Sequence, residues 1–249
     1  MRLPFTLALL SALPLTAQAN ESTRDTRSWS GTAEFGLAIA SGNADSETVN
    51  GKFAFLREED RWFYGINAAA LRAESDDQLS ANRYEAGLKL GYDFTPRAYL
   101  FGTLRHENDD FASYEYQSIA SLGVGYRFID REATSLLAEI GPGARRFQPI
   151  DALVGTPPAL TSFDAETNAI VRGSLDFKHQ LTANTALTNL LLAESGSGST
   201  FVQNDLGVAV QMSERYALKA GYQLRHTTEV PVGIEKTDTL FTTNLVVGF

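Results

Sequence analysis

Residues 237–249, T-D-T-L-F-T-T-N-L-V-V-G-F, constrain the fold more than any other stretch. Phe241, Leu245, Val247 and Phe249 fall on one face of an extended strand. Thr242, Asn244 and Gly248 fall mainly on the other, with Val246 an exception. Such period-two alternation means that one side meets an apolar medium and the other a polar or crowded one. An exposed apolar edge strand invites association with other chains, and closing the sheet on itself removes the edge. A closed barrel is therefore the expectation against which the rest of the chain is read.

Bulk composition is compatible with it. The chain has 249 residues, enough for one all-β domain or two small ones. Its formal charge of −9 argues against a nucleic-acid partner, and without cysteine it can form neither a disulfide framework nor a thiolate metal site. Mean hydropathy is slightly negative. That excludes a bundle of membrane helices but not a membrane barrel, in which only alternate strand residues face lipid. Residues 1–19 read as a secretory signal peptide: Arg2 is the positive n-region, 3–15 are mostly apolar but broken by Pro4 and Pro14, and Ala17-Gln18-Ala19 is the cleavage site. Residues 20–28 then form a periplasmic N-terminal segment and 29–249 the barrel.

From Trp29 onward the pattern is strand, turn, strand. Trp29, Gly31, Ala33, Phe35, Leu37 and Ile39 share one face, and Ser41-Gly42-Asn43-Ala44-Asp45 is a turn because Gly, Asn and Asp tolerate the required backbone angles. Trp29-x-Gly31, Glu34-x-Gly36, the Ser41-Gly42-Asn43 turn and Thr48 resemble the N-terminal signature of the salt-induced outer-membrane proteins, a YdiY-like family. The resemblance implies an outer-membrane barrel. It supplies no reaction, no ligand and no catalytic residues.

Twelve strands are expected, at 29–40, 47–57, 61–73, 81–94, 97–107, 114–128, 133–147, 164–178, 185–194, 200–212, 215–227 and 236–249. Each has the roughly ten or more residues that a tilted strand needs to cross a bilayer. The short links 58–60, 95–96, 129–132, 181–184 and 213–214 alternate with generally longer ones at 74–80, 108–113, 148–163, 195–199 and 228–235. Short turns on one side and longer loops on the other describe an outer-membrane barrel with both termini in the periplasm. Trp62, Tyr64, Tyr92, Phe94, Tyr126, Phe128, Phe177, Tyr216 and Phe249 lie by the short turns or the chain end, where a girdle of amphipathic rings is favoured. The fold class predicted is an all-β, transmembrane, up-and-down antiparallel barrel. Phe241, Leu245, Val247 and Phe249 would be the assembly signal read by the barrel-assembly machinery.

Turning each strand's polar face inward predicts a lumen lined by Lys52, Arg83, Glu85, Lys89, Arg105, Glu115, Arg127, Glu139, Arg145, Glu166, Arg172, Lys219 and Arg225. The full predicted wall tilts basic, with Glu107, Asp109 and Asp110 assigned to an outer loop. Buried charges persist only when paired, so ion pairs across the interior are expected. These features point to a narrow channel with weak anion preference. The alternative is a structural or surface-interaction barrel without transport, in which the charges fill the interior. The partners expected are outer-membrane lipid and lipopolysaccharide, and no nucleic acid. No G-x-S-x-G or H-E-x-x-H motif occurs, and His106 and His226 lie by the outer rim with Ser80 and Ser113 as the nearest candidate nucleophiles. A non-enzyme without cofactors is accordingly expected, and an outer-membrane hydrolase is the weakest of the three alternatives. Residues 148–163, with three prolines and several apolar residues, would pack over the mouth, fold inward or meet a partner.

Overall fold

The computed structural model describes residues 27–40, 46–154, 159–231 and 234–249. The expected signal segment, most of the expected N-terminal stretch and the expected Ser41-Gly42-Asn43 turn lie outside the described residues. The strands are β1 (Arg27–Ala40), β2 (Ser46–Glu59), β3 (Trp62–Ser75), β4 (Gln78–Asp93), β5 (Ala98–Asp109), β6 (Tyr114–Arg131), β7 (Thr134–Pro149), β8 (Ala152–Val154), β9 (Ala159–Thr161), β10 (Glu166–Thr182), β11 (Thr185–Gly196), β12 (Ser199–Gln211), β13 (Tyr216–Thr227) and β14 (Thr237–Gly248). β8 and β9 pair only with each other. The rest close into one antiparallel barrel in which each strand pairs with its neighbour in the chain and β14 pairs with β1. This is the up-and-down topology expected, and both described chain ends lie at the same end of the barrel.

The wall is inside out relative to a soluble protein. Phe35, Ile66, Leu88, Leu104, Leu122, Ile140, Val171, Leu206, Leu218 and Phe241 are among many large apolar side chains that point outward and are exposed. The buried apolar core is short: Phe63, Leu71, Tyr99, Phe101, Ile119, Ile170 and Phe201. On β6 the outward residues from Ala120 to Phe128 are apolar or aromatic and none is charged. Water would penalise such a surface, whereas acyl chains solvate it, so the barrel is a transmembrane one. One polar exception satisfies itself: outward Asn189 and Asn204 exchange two amide hydrogen bonds of 3.2 and 3.3 Å. Towards the end carrying the termini, Trp29, Trp62, Tyr64, Tyr126, Phe128, Tyr216 and Phe249 are exposed on the outer wall.

Two details of the wall depart from the expected layout. The links at 76–77 and 197–198 are two-residue turns, not loops: Asp76 and Asp77 have φ of 50° and 61°, and Gly198 has φ of 88°. At Asp76–Asp77 positive φ at both central positions matches the right-handed twist of the flanking strands, which therefore continue to the turn. The second departure is at Pro142 in β7. The β6–β7 register runs from Ser121↔Gly143 to Val124↔Ile140 with no pairs between. Pro142 has no N–H to donate there. Gly123 and Gly141 let the two backbones close up instead: a Cβ on Gly141 would lie 1.9 Å from the Leu122 carbonyl oxygen.

Candidate functional site

Cross-strand pairing carries one set of side chains into the interior around the whole barrel, and ion pairs link many of them into two clusters. The first lies towards the end away from the termini. Glu107 is fully buried. It accepts hydrogen bonds from Arg225 at 2.6 Å and Tyr114 at 2.6 Å, and Arg105 lies 3.4 Å away. Arg105 also bonds Glu194 at 2.5 Å and lies 3.5 Å from Glu85. Arg225 reaches Asp109 at 3.1 Å, and Arg83 donates to Gln223 at 2.7 Å. The Arg105 and Arg225 guanidinium groups stack on the Phe201 ring at 5.5 and 5.1 Å.

The second cluster centres on Glu139. It accepts from Lys89, from Tyr99 at 2.8 Å, from Arg172 at 3.1 Å and from Ser174 at 3.2 Å. Lys89 lies 5.7 Å from the Phe101 ring, and Tyr99 meets Phe63 edge-on at 5.2 Å. Room for these rings comes from glycine. A Cβ on Gly91 would fall 1.9 Å from the Phe63 ring, and one on Gly125 would fall 2.1 Å from the Tyr99 ring. Below the cluster Arg127 donates to Asp93 at 2.7 Å.

Beside these clusters the lumen is less filled. A cavity of about 290 Å³ runs along β1–β4 and β11–β14. Within it Lys52 pairs with Asp205 at 3.3 Å and Lys219 with Glu34 at 2.7 Å. Gln203, Gln223, Asn67 and Thr242 add polar groups to the same wall. At the mouth away from the termini a second cavity, about 430 Å³, is lined by Phe147, Phe163, Phe201, Ile150 and Arg145. Arg145 lies over the Phe147 ring at 5.2 Å, and its Nε is buried with no hydrogen-bond partner. Glu166 lines this mouth too and is exposed.

The structure thus turns Lys52, Arg83, Glu85, Lys89, Arg105, Arg127, Glu139, Arg172, Lys219 and Arg225 inward and places Arg145 and Glu166 at the rim. Glu115 departs from expectation: a register shift between Tyr114 and Tyr116 leaves it exposed and brings Tyr114 in to Glu107. The balance of the wall is also corrected. Glu107 and Asp109 belong to β5 and point in, as do Asp93 and Glu194, so the interior does not lean basic. Their shared parity with Arg105 is visible in the sequence, but an expected strand end at Glu107 leaves Asp109 beyond it and groups Glu107 with the loop acids. Phe241, Leu245 and Phe249 are exposed on the outer wall, and Val247 shares that face through its pairing with Ala33.

The three histidines lie on the outer wall. His226 bonds Thr237 at 2.8 Å and His179 bonds Thr134 at 2.8 Å. His106 is bound neither to Ser80 nor to Ser113 but to Ser118 at 2.8 Å and Asn108 at 3.0 Å. Among the described residues no cluster of His, Cys, Asp and Glu has the geometry of a metal site.

Comparison with solved structures finds barrels at low sequence identity. The NanC porin aligns with a TM-score of 0.46 at 7% identity, over 89% of this chain and 98% of that one. The translocator domain of autotransporter NalP from Neisseria meningitidis aligns with a TM-score of 0.45 at 11% identity, over 92% and 90%. In sequence, the uncharacterized protein YdiY of Escherichia coli (strain K12) is 25% identical over 203 residues, 81% of this chain and 75% of that protein. The YdiY-like kinship expected from the N-terminal strands holds. Residues 33–249 match the family described as "Protein of unknown function, DUF481", and the chain belongs to that family.

Proposed function

We propose that this protein is an outer-membrane barrel with a narrow, charge-balanced lumen that passes small ions and excludes larger solutes. The observation that carries this reading is the asymmetry of the interior. The Glu139 cluster fills the side formed by β4–β7 and β10, the Glu107 cluster reaches across to β11 and β13, and the path we assign to ions is the cavity left beside them along β1–β4 and β11–β14. Paired charges of both signs line that path, so neither anions nor cations find a net field. The apolar outer wall, the secretory signal expected from the sequence and the alternating last strand support placement in the outer membrane. Lipid and lipopolysaccharide would surround the barrel, and the assembly machinery would read the outward residues Phe241, Leu245, Val247 and Phe249.

Planar-bilayer recording tests the reading. The wild-type protein should show a small conductance with nearly equal permeability to potassium and chloride. Replacing Lys52 and Lys219 together by glutamine leaves Glu34 and Asp205 without their basic partners and should make the pore cation-selective. A large conductance, strong anion preference in the wild type, or selectivity indifferent to the double substitution would contradict it. Complete absence of conductance would favour the structural barrel, whose interior serves only to hold the wall together.

A further inference from the structure

The outer wall carries a directed Ser–His–Asn relay that belongs to neither lumen cluster. Asn108 donates from Nδ2 to the Glu115 carbonyl at 3.3 Å, the carbonyl sitting at the register shift that begins β6. Its Oδ1 therefore faces His106 Nε2 at 3.0 Å and can only accept, which places the ring proton on Nε2. His106 Nδ1 is then the free base, and it accepts the Ser118 hydroxyl at 2.8 Å. Both bonds to the ring lie within the reach required of a nucleophile, a general base and an orienting group, and such sets are recognised by geometry and role, not by chain order.

The surroundings supply what is missing from the relay alone. Ser118 is paired across β6–β7 with Arg146, so the two side chains share the outer face. Arg146 is exposed and makes no ion pair among the described residues. All four residues lie near the barrel end away from the termini: His106 and Asn108 in the last four residues of β5, Ser118 near the start of β6, and Arg146 near the end of β7. The wall below them is apolar, with Leu104, Leu122 and Val124 exposed. That is the level at which a lipid's ester groups meet its acyl chains, and a lipid diffusing against the wall would bring them to Ser118 without entering the lumen.

The geometry points to an esterase site for membrane lipid on the outer wall, its substrate an acyl ester in a phosphate-bearing lipid. Ser118 Oγ attacks the ester carbonyl carbon while His106 Nδ1 takes the hydroxyl proton. The oxyanion develops beside the Arg146 guanidinium, where positive charge lowers the barrier. Collapse breaks the bond to the alcohol oxygen, which leaves with the proton from His106. Water then attacks the acyl-serine with His106 again as base, releasing the fatty acid and restoring Ser118. Asn108 is a positioning residue that holds the tautomer. This site uses side chains outside the motifs expected from sequence, and it does not depend on whether the lumen conducts.

The test uses the full-length barrel, purified from a host lacking its own outer-membrane phospholipase, in vesicles of phosphatidylethanolamine and phosphatidylglycerol or in lipopolysaccharide micelles. Two readouts are taken: fatty-acid release, and covalent labelling by an alkyl fluorophosphonate mapped by mass spectrometry. Label on Ser118 is expected, with release reduced by about 100-fold or more in Ser118→Ala and in His106→Ala. Asn108→Ala should lower turnover with little change in KM, and Asn108→Asp should restore it. Release from phospholipid alone or from lipopolysaccharide alone identifies the lipid, and either supports the site. No release from both lipids and no label on Ser118 in a folded, heat-modifiable barrel would overturn it. So would release that survives Ser118→Ala.

Discussion

Replacing Glu107 with glutamine will destabilise the folded barrel by about 3–5 kcal/mol, the usual cost of removing one member of a buried, hydrogen-bonded ion pair. The substitution keeps the shape and removes the charge. Arg225, almost fully buried, then faces only Asp109, and Arg105 is left with Glu85 and Glu194. Tyr114 loses the carboxylate that accepts its hydroxyl at 2.6 Å. The measurement is the urea midpoint for unfolding from lipid vesicles. Adding Arg225→Met to the same chain should recover part of the loss, because the charge left without its partner is then gone, so the two costs will not add. A change below about 1 kcal/mol, as for an exposed pair, would show that water reaches Glu107 freely.

Deleting Phe249 will prevent most of the chain from closing. Registered β1–β14 pairs run only over Thr32–Gly36, whereas β1 and β2 pair from Arg27 to Ala40. Phe249 lengthens this short seam: its N–H donates to the Gly31 carbonyl at 2.9 Å, and its own carbonyl accepts from the Gly31 N–H at 2.8 Å. Its ring covers Gly31, where a Cβ would lie 2.3 Å from a ring carbon, and stacks with Phe53 at 6.2 Å. Folded protein should fall severalfold, read as the heat-modifiable band, both in membranes and on refolding into detergent. Loss in cells with normal refolding in detergent would assign the residue to recognition by the assembly machinery alone. Full yield in both would contradict the seam argument.

The alternation that made the barrel legible is strong where lipid imposes it and weak elsewhere. The strand count and the outward sets around Leu88, Leu122 and Phe241 could be read because acyl chains require apolar residues at every second position. Beyond the apolar band that demand ends. Glu74, Ser75, Gln78 and Ser80 put polar groups on both faces beside Asp76 and Asp77, so the continuing strands resemble a loop. The same ambiguity ends the expected β5 two residues early, which moves Asp109 outside and leaves Glu107 at the strand end, grouped with the loop. The shift at Tyr114–Tyr116 has no sequence signal, since one inserted residue exchanges two faces without changing composition. The Ser118–His106–Asn108 relay was hidden for another reason. It depends on the β5–β6 register, which places Ser118 opposite His106 across a hairpin and leaves no local motif.

The central claim is that the apolar wall faces lipid, and quenching by brominated acyl chains tests it most directly. Leu122, 66% exposed on β6, and its inward neighbour Ser121, buried, differ only in the side to which they point. A tryptophan at Leu122, in a chain whose two native tryptophans are replaced by phenylalanine, should lose most of its emission in brominated vesicles. A tryptophan at Thr242, on the cavity wall, should keep its emission and respond instead to aqueous iodide. Equal indifference of both to the brominated lipid, with a protein monomeric and dissolved without detergent, would contradict the account.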